Sequence, residues 1–271
     1  MYLLNVKLMY KLIDSHSHFD FSAFDADRKE ALLRASKANI NHIIVSASTA
    51  KRWPYVKNTV AQFSSEQPSN KQAQCHAAYG LHPVFINEHK TDDLLDLQGW
   101  IEKETPVAIG EIGLDFFIDN PDKDKQLHFF IEQLKLAKAF DLPVIIHARK
   151  SLDIVLKYLR QLSGLRGSIH SFSGSEQQAN QLIELGFYLG FGGPITYTRA
   201  TKLRRFVSTL PLESLLLESD SPDQPDVSHH KERNEPAYLP LIAETIAELR
   251  GIDVEEVAKI TTLNAQTLFK I

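Results

Sequence analysis

The feature that most constrains this chain is a rhythm: short Val/Ile/Leu-rich runs alternate with longer amphipathic segments. The runs fall at 11–16, 42–46, 75–79, 107–111, 144–147, 167–171, 188–191 and 215–219. They are continuously apolar, as strands of a parallel sheet covered on both faces are. Between them the period turns helical. Leu127, Phe130, Ile131, Leu134 and Ala137 recur at three- and four-residue spacing, and Pro143 ends that helix by disfavouring helical backbone at Leu142. Ser151 and Ser175 stand where N-caps belong, ahead of the stripes Leu152, Val155, Leu156, Leu159 and Ala179, Leu182, Ile183. Leu239, Ile242, Ala243, Ile246 and Leu249 form a helix ended by Gly251, and a shorter pair over 254–260 and 264–269 closes the chain.

Eight strand–helix units in 271 residues predict one α/β domain over 1–271, a (β/α)8 TIM barrel. A doubly wound open sheet is the alternative. Against it, the first strand runs into His16-Ser17-His18 and not into the Gly-rich turn that would cradle a phosphate.

Composition narrows the function classes. The net charge is -4, whereas a protein that grips long duplex DNA by charge alone is basic, so any contact with nucleic acid is expected at a local site. Cys75 is the only cysteine, which rules out an intrachain disulfide and fits a reducing compartment. The apolar start at 1–9 is short, is interrupted by Lys7 and has no small-residue cleavage site after it, so it does not read as a signal peptide. No run is long enough to span a bilayer, so the expected address is the cytoplasm, with no membrane contact and no obligate protein partner.

Chemistry-bearing residues stand at or just past most strand ends. The first strand gives His16 and His18, the third His82, the fourth Glu111, the fifth His147 and Arg149, the sixth His170, and the eighth Glu218 and Asp220. In a barrel these positions converge on one rim. A single histidine after a strand is ordinarily a satisfied polar residue, and a single glutamate a helix cap; recurrence at so many strand ends needs another cause. Two bare carboxylates about 4 Å apart repel by roughly 4 kcal/mol at an effective dielectric near 20. Divalent cations remove that conflict, so the pattern points to a metal site with more than one ion.

Taken together, Asp14-x-His16-x-His18, Gly80-x-His82-Pro83, Gly110-Glu111-Ile112-Gly113-Leu114-Asp115, His147-x-Arg149, His170-x-Phe172-Ser173-Gly174, Glu218-Ser219-Asp220-x-Pro222 and Asn234-Glu235-Pro236 resemble the TatD family of metal-dependent hydrolases. The pieces lie in the family's order from residue 14 to 236. Ser171 stands where many members have cysteine, and the loop at 221–230, which shapes the substrate entrance, varies within the family.

The resemblance implies that His16 and His18 bind one ion, Glu111 bridges, His147 and His170 bind the second, and Asp220 binds metal beside the attacking water and carries its proton. The implied cofactors are two divalent ions per chain, drawn from Zn, Mn, Mg or Fe. The implied activity is that of a deoxyribonuclease, exonuclease-like on single-stranded ends, with DNA or another phosphoester as substrate. His82 and Arg149 are candidates for holding a phosphate, although Arg149 would equally suit pairing with a rim carboxylate. A second reading keeps the ions and changes the bond, to a carboxylic ester or amide such as an aminoacyl ester of tRNA. A third is a non-catalytic binding module on an inherited barrel, against which the complete ligand set speaks.

Several features stay open on the residues alone. Gly190-Phe191-Gly192-Gly193-Pro194 reads as a tight turn more readily than as a phosphate cradle. Asp14 and Asp115 suit either support of the ligands or capping. Lys202, Arg204 and Arg205 form a basic cluster that could guide a polyanion or simply solvate a helix. His42, His76, His89 and His128 read as structural or surface residues, and His229 and His230 lie near the entrance loop without an assigned role.

Overall fold

A computed structural model of the chain describes residues 11–63 and 72–271; the apolar start at 1–9 lies outside the described residues. The apolar runs become β1 (Leu12–Ser17), β2 (Ile40–Ser46), β3 (Gln74–Tyr79), β4 (Ala108–Asp115), β5 (Val144–Arg149), β6 (Gly167–Ile169), β7 (Phe187–Phe191) and β8 (Leu215–Leu217). The amphipathic segments become α1 (Arg28–Lys37), α2 (Trp53–Phe63), α3 (Asp92–Glu104), α4 (Lys123–Ala139), α5 (Leu152–Gln161), α6 (Glu176–Glu184), α7 (Thr201–Thr209), α8 (Leu239–Arg250) and α9 (Val254–Phe269). The strands form one sheet in the order of the chain, and each neighbour pairs parallel.

That order excludes the doubly wound alternative, and β8 returns to β1 to close the barrel. Ser15 Oγ donates to Leu217 O at 2.9 Å, the Asp220 N–H to His16 O at 3.0 Å, and the His18 N–H to Ser221 O at 2.8 Å. The Asp14 carboxylate fastens the same seam, accepting from Ser219 N at 2.9 Å and from Ser219 Oγ at 2.6 Å. Burial pushes the Asp14 pKa up to about 7 in spite of those bonds. Asp14 is therefore a closure residue rather than a cap.

Apolar packing occupies two places. A large cluster lies between strands and helices; Ile146 of β5, Leu134 of α4 and Val155 of α5 belong to it. A smaller cluster takes Ile13, Ile44, Ala78, Ala108, Ile145 and Leu216, one from each of six strands, and meets Ala265, Leu268 and Phe269 of α9. This is the barrel floor. Helix α9 lies across it, tied to the N-terminal ends of the strands by Thr262 Oγ1 donating to Lys11 O at 2.7 Å and Asn264 Nδ2 to Leu215 O at 2.8 Å.

Three local expectations change. The two closing helices are one, because Thr261 and Thr262 satisfy their hydroxyls on Val257 O and Lys11 O without breaking the backbone, and the Asn264 amide serves β8 instead of starting a helix. Ser151 stands at the α5 N-cap position, but its Oγ donates to Leu114 O at 2.7 Å and caps nothing. Strand β4 runs on to Asp115, beyond the expected end at 111, while β6 stops at Ile169. Ser175 does cap α6, in a reciprocal box with Gln178, and Gly251 ends α8 in the left-handed region at φ +67°. Among the described residues no helix is long and apolar enough to cross a membrane.

Candidate metal centre

The site lies at the C-terminal ends of the strands. Pairing of β1 with β2 shifts register between Asp14 and Ser17, beside the histidine pair, as bulges near functional sites do. Ser46, the last residue of β2, sets both rings: its carbonyl accepts from His18 Nδ1 at 2.9 Å, and its Oγ lies 3.1 Å from His16 Nδ1. With Nδ1 donating to that carbonyl, His18 turns Nε2 towards the barrel axis. Glu111 enters from β4, fully buried. Two residues on, Gly113 has φ +142°, and a Cβ there would meet His147 O at 2.0 Å, so only glycine lets β5 bring His147 alongside. His170 follows the end of β6, and Asp220 follows β8 at φ +54°.

These residues meet around Glu111. Its Oε2 lies 3.1 Å from His16 Nε2 and 3.2 Å from His18 Nε2. Its Oε1 lies 3.0 Å from His147 Nδ1, 3.0 Å from His82 Nε2 and 3.4 Å from His170 Nε2. Asp220 Oδ1 completes the first side, 3.3 Å from His16 Nε2 and 3.8 Å from His18 Nε2. Among the described residues three overlapping triads have ligand atoms within 4.8 Å of one another: His16–His18–Asp220, His16–Glu111–His170 and His82–Glu111–His147.

Buried polar groups are normally hydrogen-bonded. Here His16 Nε2, Glu111 Oε2 and His170 Nδ1 are buried without a hydrogen-bond partner. Two of these three atoms face each other at 3.1 Å. Imidazole nitrogen and carboxylate oxygen turned on one point are the donor set of a divalent transition ion, so the residues fit the metal that the sequence implies. The electrostatics agree. Burial would push His16 down, but Glu111 and Asp220 outweigh it and hold that imidazole well above its usual range. Burial likewise opposes the charge on Glu111, and the ring of imidazoles around it still holds its carboxyl well below the usual range. Asp220 is depressed for the same reason, chiefly by His170 and His16. His147 lies between two carboxylates, with Nε2 3.0 Å from Asp115 Oδ2, and against its burial they raise it to about 9. Each shift is that of a group held where a cation belongs.

His82 differs from the others. Its Nδ1 accepts the Val84 N–H at 3.1 Å, so its one hydrogen sits on Nε2, and burial lowers its pKa to about 4. A neutral ring with both nitrogens so engaged is a donor to an anion and a poor member of the third triad. His89 supports it, with Nε2 2.8 Å from His82 O, the structural role expected of that residue. Arg149 is exposed at the mouth and stacks on Phe117, Cζ 3.9 Å from the ring centroid; among the described residues it meets no carboxylate at ion-pair distance. The cleft over the cage measures about 600 Å³ and is lined in part by Phe21, Phe85, Arg149 and Gln224.

Other residues take roles that the sequence left open or did not assign. Glu218 lies behind His170, with Oε1 3.3 Å from Nδ1, and accepts the Ser171 N–H at 2.6 Å. A Cβ on Gly190, within β7, would meet Glu218 Oε2 at 2.1 Å, and one on Gly192, just past it, would meet Glu218 O at 2.8 Å, so these glycines make room for the residue that follows β8 and not for a phosphate. Asp115 orients His147, and Gln224 Nε2 donates to Asp220 Oδ2. The signal for Asp115 and Glu218 was their place in the strand-end pieces; Ser46, the polar terminus of an otherwise silent strand, had the same signal and went unread. His42 and His76 pair with each other at 2.8 Å, while His229 stacks on Tyr238 and His230 meets Tyr197, so neither entrance-loop histidine joins the cage.

The chain is similar to known proteins along nearly its whole length. The family model described as TatD-related DNase matches residues 13–270. The chain is 40% identical over 267 residues to the uncharacterized metal-dependent hydrolase YjjV of Escherichia coli K12, covering 97% of this chain and 100% of that one. It is 34% identical to the uncharacterized metal-dependent hydrolase YabD of Bacillus subtilis, covering 96% and 99%. The crystal structure of YjjV, a TatD homologue, superposes with a TM-score of 0.88 at 39% identity over 96% of this chain and 98% of that one. A TatD-family hydrolase from Entamoeba histolytica, at 22% identity, shares the fold with a TM-score of 0.84 over 97% and 99%. Barrel, strand-end histidines and carboxylates and full-length similarity coincide, and the chain belongs to the TatD family of metal-dependent hydrolases.

Proposed function

We propose that the protein is a phosphodiesterase acting on single-stranded DNA ends, with two divalent ions held by His16, His18, Glu111, His147, His170 and Asp220. The observation that carries this reading is the buried, unpartnered pair of His16 Nε2 and Glu111 Oε2, 3.1 Å apart at the centre of converging ligands. His16, His18 and Asp220 would hold one ion and His147 and His170 the other, with Glu111 between them, its Oε2 beside the first pair of imidazoles and its Oε1 beside the second. A divalent ion bound there lowers the pKa of a water molecule and offsets the charge of a phosphoryl group.

The chain's own residues do the rest. Asp220, kept ionised by its neighbours, takes the proton of the attacking water and returns it to the leaving oxygen. Gln224, donating to Oδ2, holds that carboxylate in place. The one hydrogen of neutral His82, on Nε2 against Glu111 Oε1, would pass to a phosphate oxygen only once that carboxylate holds an ion, and Arg149 presents a planar fork from the mouth. Phe21 stacks on His18 at 4.8 Å and, with Phe85, gives the cleft flat apolar walls. Such walls suit a nucleobase better than an aminoacyl side chain or a lactone.

The test is cleavage of single-stranded DNA, of an aryl phosphate and of an aminoacyl ester by metal-loaded protein, beside His147→Ala and Asp220→Ala. Cleavage of DNA that both substitutions abolish is the expected outcome. Undiminished cleavage in both variants sinks the assigned site, and turnover of the aminoacyl ester alone moves the chemistry to carbonyl carbon.

A further inference from the structure

A second cleft opens on the same rim, between the chain that follows β5 and the chain that follows β6. It measures about 640 Å³ and shares Ala148, Arg149 and Ser173 with the cleft over the cage. Its walls carry three cations, Arg149, Lys150 and Lys202, against one carboxylate, Asp153. That carboxylate is already engaged, accepting from Gln178 Nε2 at 2.6 Å. Phe117 gathers two of the cations, with Arg149 Cζ 3.9 Å and Lys150 Nζ 4.4 Å from its ring centroid. Lys202 Nζ donates to Ser173 O at 2.9 Å, which sets its ammonium at the junction of the two clefts with two hydrogens to spare.

This resolves the basic cluster on α7. Arg204 turns away to Ile195 O, and Arg205 lies 3.4 Å from Glu176, so of the three only Lys202 lines the cleft. Ser151, turned to Leu114 O, leaves the first turn of α5 on the cleft wall without a side-chain cap, which adds a modest positive potential to that of the side chains.

We propose that this cleft binds the phosphodiester next to the one being cut, so that the substrate is a polynucleotide strand running from the cage across the β5–β6 sector. The inference rests on the phosphodiesterase reading above. Arg149 belongs to both clefts, and a ligand that fills both must carry two anionic groups on one flexible backbone. A strand does so, whereas a single phosphate fills one cleft and leaves the other cations without a partner.

The test compares a dinucleotide that has only its internal diester with the same dinucleotide bearing one further phosphate, at the 5′ end or at the 3′ end. For metal-loaded wild-type protein one of the two additions raises kcat/KM by about tenfold, the worth of one charge-assisted contact. In the Lys150→Asn, Lys202→Gln double variant that gain disappears; asparagine tolerates the φ of +53° at position 150. A second arm measures binding of a labelled oligo(dT) to metal-free protein across a salt series. There the double variant binds more weakly, and the slope of log affinity against log salt falls by about 0.7, the worth of the one phosphate no longer neutralised. A gain in kcat/KM that survives both substitutions overturns the proposal, as does an unchanged affinity and slope. If wild-type protein cleaves neither dinucleotide, the phosphodiesterase reading fails, and the binding arm still decides for or against the cleft. A melting curve for the double variant confirms that it is folded.

Discussion

At one end of the barrel, Ile13, Ile145 and Leu216 meet Leu268 and Phe269 of α9; at the other, β1, β4, β5 and β8 lead to His16, Glu111, His147 and Asp220. The two ends are separated by a few residues of the same strands. At the floor, each fully buried Leu or Ile contributes about 1.5–3 kcal/mol, and nothing there needs a partner beyond shape. At the mouth, burial by itself works against the fold, since charged and polar groups removed from water cost free energy, which ion pairing among the imidazoles and carboxylates, or a cation in the place of the protons, must offset. The floor therefore stabilises the barrel, and the mouth draws on that stability to keep a cage that a cation completes. Closure of the seam by Asp14, Ser219 and the Asp220 N–H joins the two, because the contacts that complete the barrel also set His16 and His18 opposite Asp220.

Substitutions at the two ends should separate activity from stability. The largest expected effect is on rate: Asp220→Ala lowers kcat by about 10²–10⁴-fold in steady-state kinetics of the metal-loaded enzyme while the protein remains folded. Leu216→Ala does the opposite, lowering the free energy of unfolding by about 2–5 kcal/mol in urea while the folded protein keeps its kcat. A loss of rate at the floor without a loss of stability would break the contrast. Saturating divalent metal should stabilise wild type by about 2.7 kcal/mol at a hundredfold excess over Kd, and Glu111→Gln by far less, as thermal denaturation would read. Asp115→Asn and Glu218→Gln, which touch His147 and His170 from outside the cage, should weaken metal binding about 10–100-fold in competition titrations.

The smallest effect is on protons and sharpens the comparison further. In metal-free protein His147 titrates near 9 and His16 well above its usual range, so both are protonated at pH 7.5. Metal binding needs their lone pairs, hence uptake releases protons and weakens as pH falls. Calorimetry in buffers of different ionisation enthalpy reads that release directly. For stability the sign is the reverse of a carboxylate's: a raised histidine stabilises the fold fully below its ordinary value of 6.5, and the contribution is lost as pH rises through about 9. Metal-free protein should lose stability over that window, and loaded protein should not.

Much of this was legible in the residues. Continuous apolar runs at regular spacing predicted eight parallel strands, because strands covered on both faces have no polar side to show. The strand-end histidines and carboxylates predicted one rim, because closure brings every C-terminal strand end together. What was not legible depends on tertiary direction. Ser151 has the look of a cap, yet its hydroxyl is drawn to Leu114 O; Thr261 and Thr262 have the look of a break, yet their hydroxyls bond back to carbonyls. Glu218 was visible as a motif letter, but its place behind His170 depends on the absence of a side chain at Gly190, on a different strand. The split of the α7 cluster, with Lys202 on a cleft and Arg204 and Arg205 tied elsewhere, is likewise set by partners that spacing along one helix does not reveal.

The central claim is that the buried, unpartnered atoms of the mouth are an ion cage organised by Glu111. The most direct test is elemental analysis joined to titration calorimetry of wild-type protein and Glu111→Gln, prepared identically. The account expects wild type to take up two divalent ions per chain and the variant to lose tight binding at both positions while remaining folded. Wild-type protein that binds no divalent ion, or a Glu111→Gln protein that binds the same number as tightly, would contradict it.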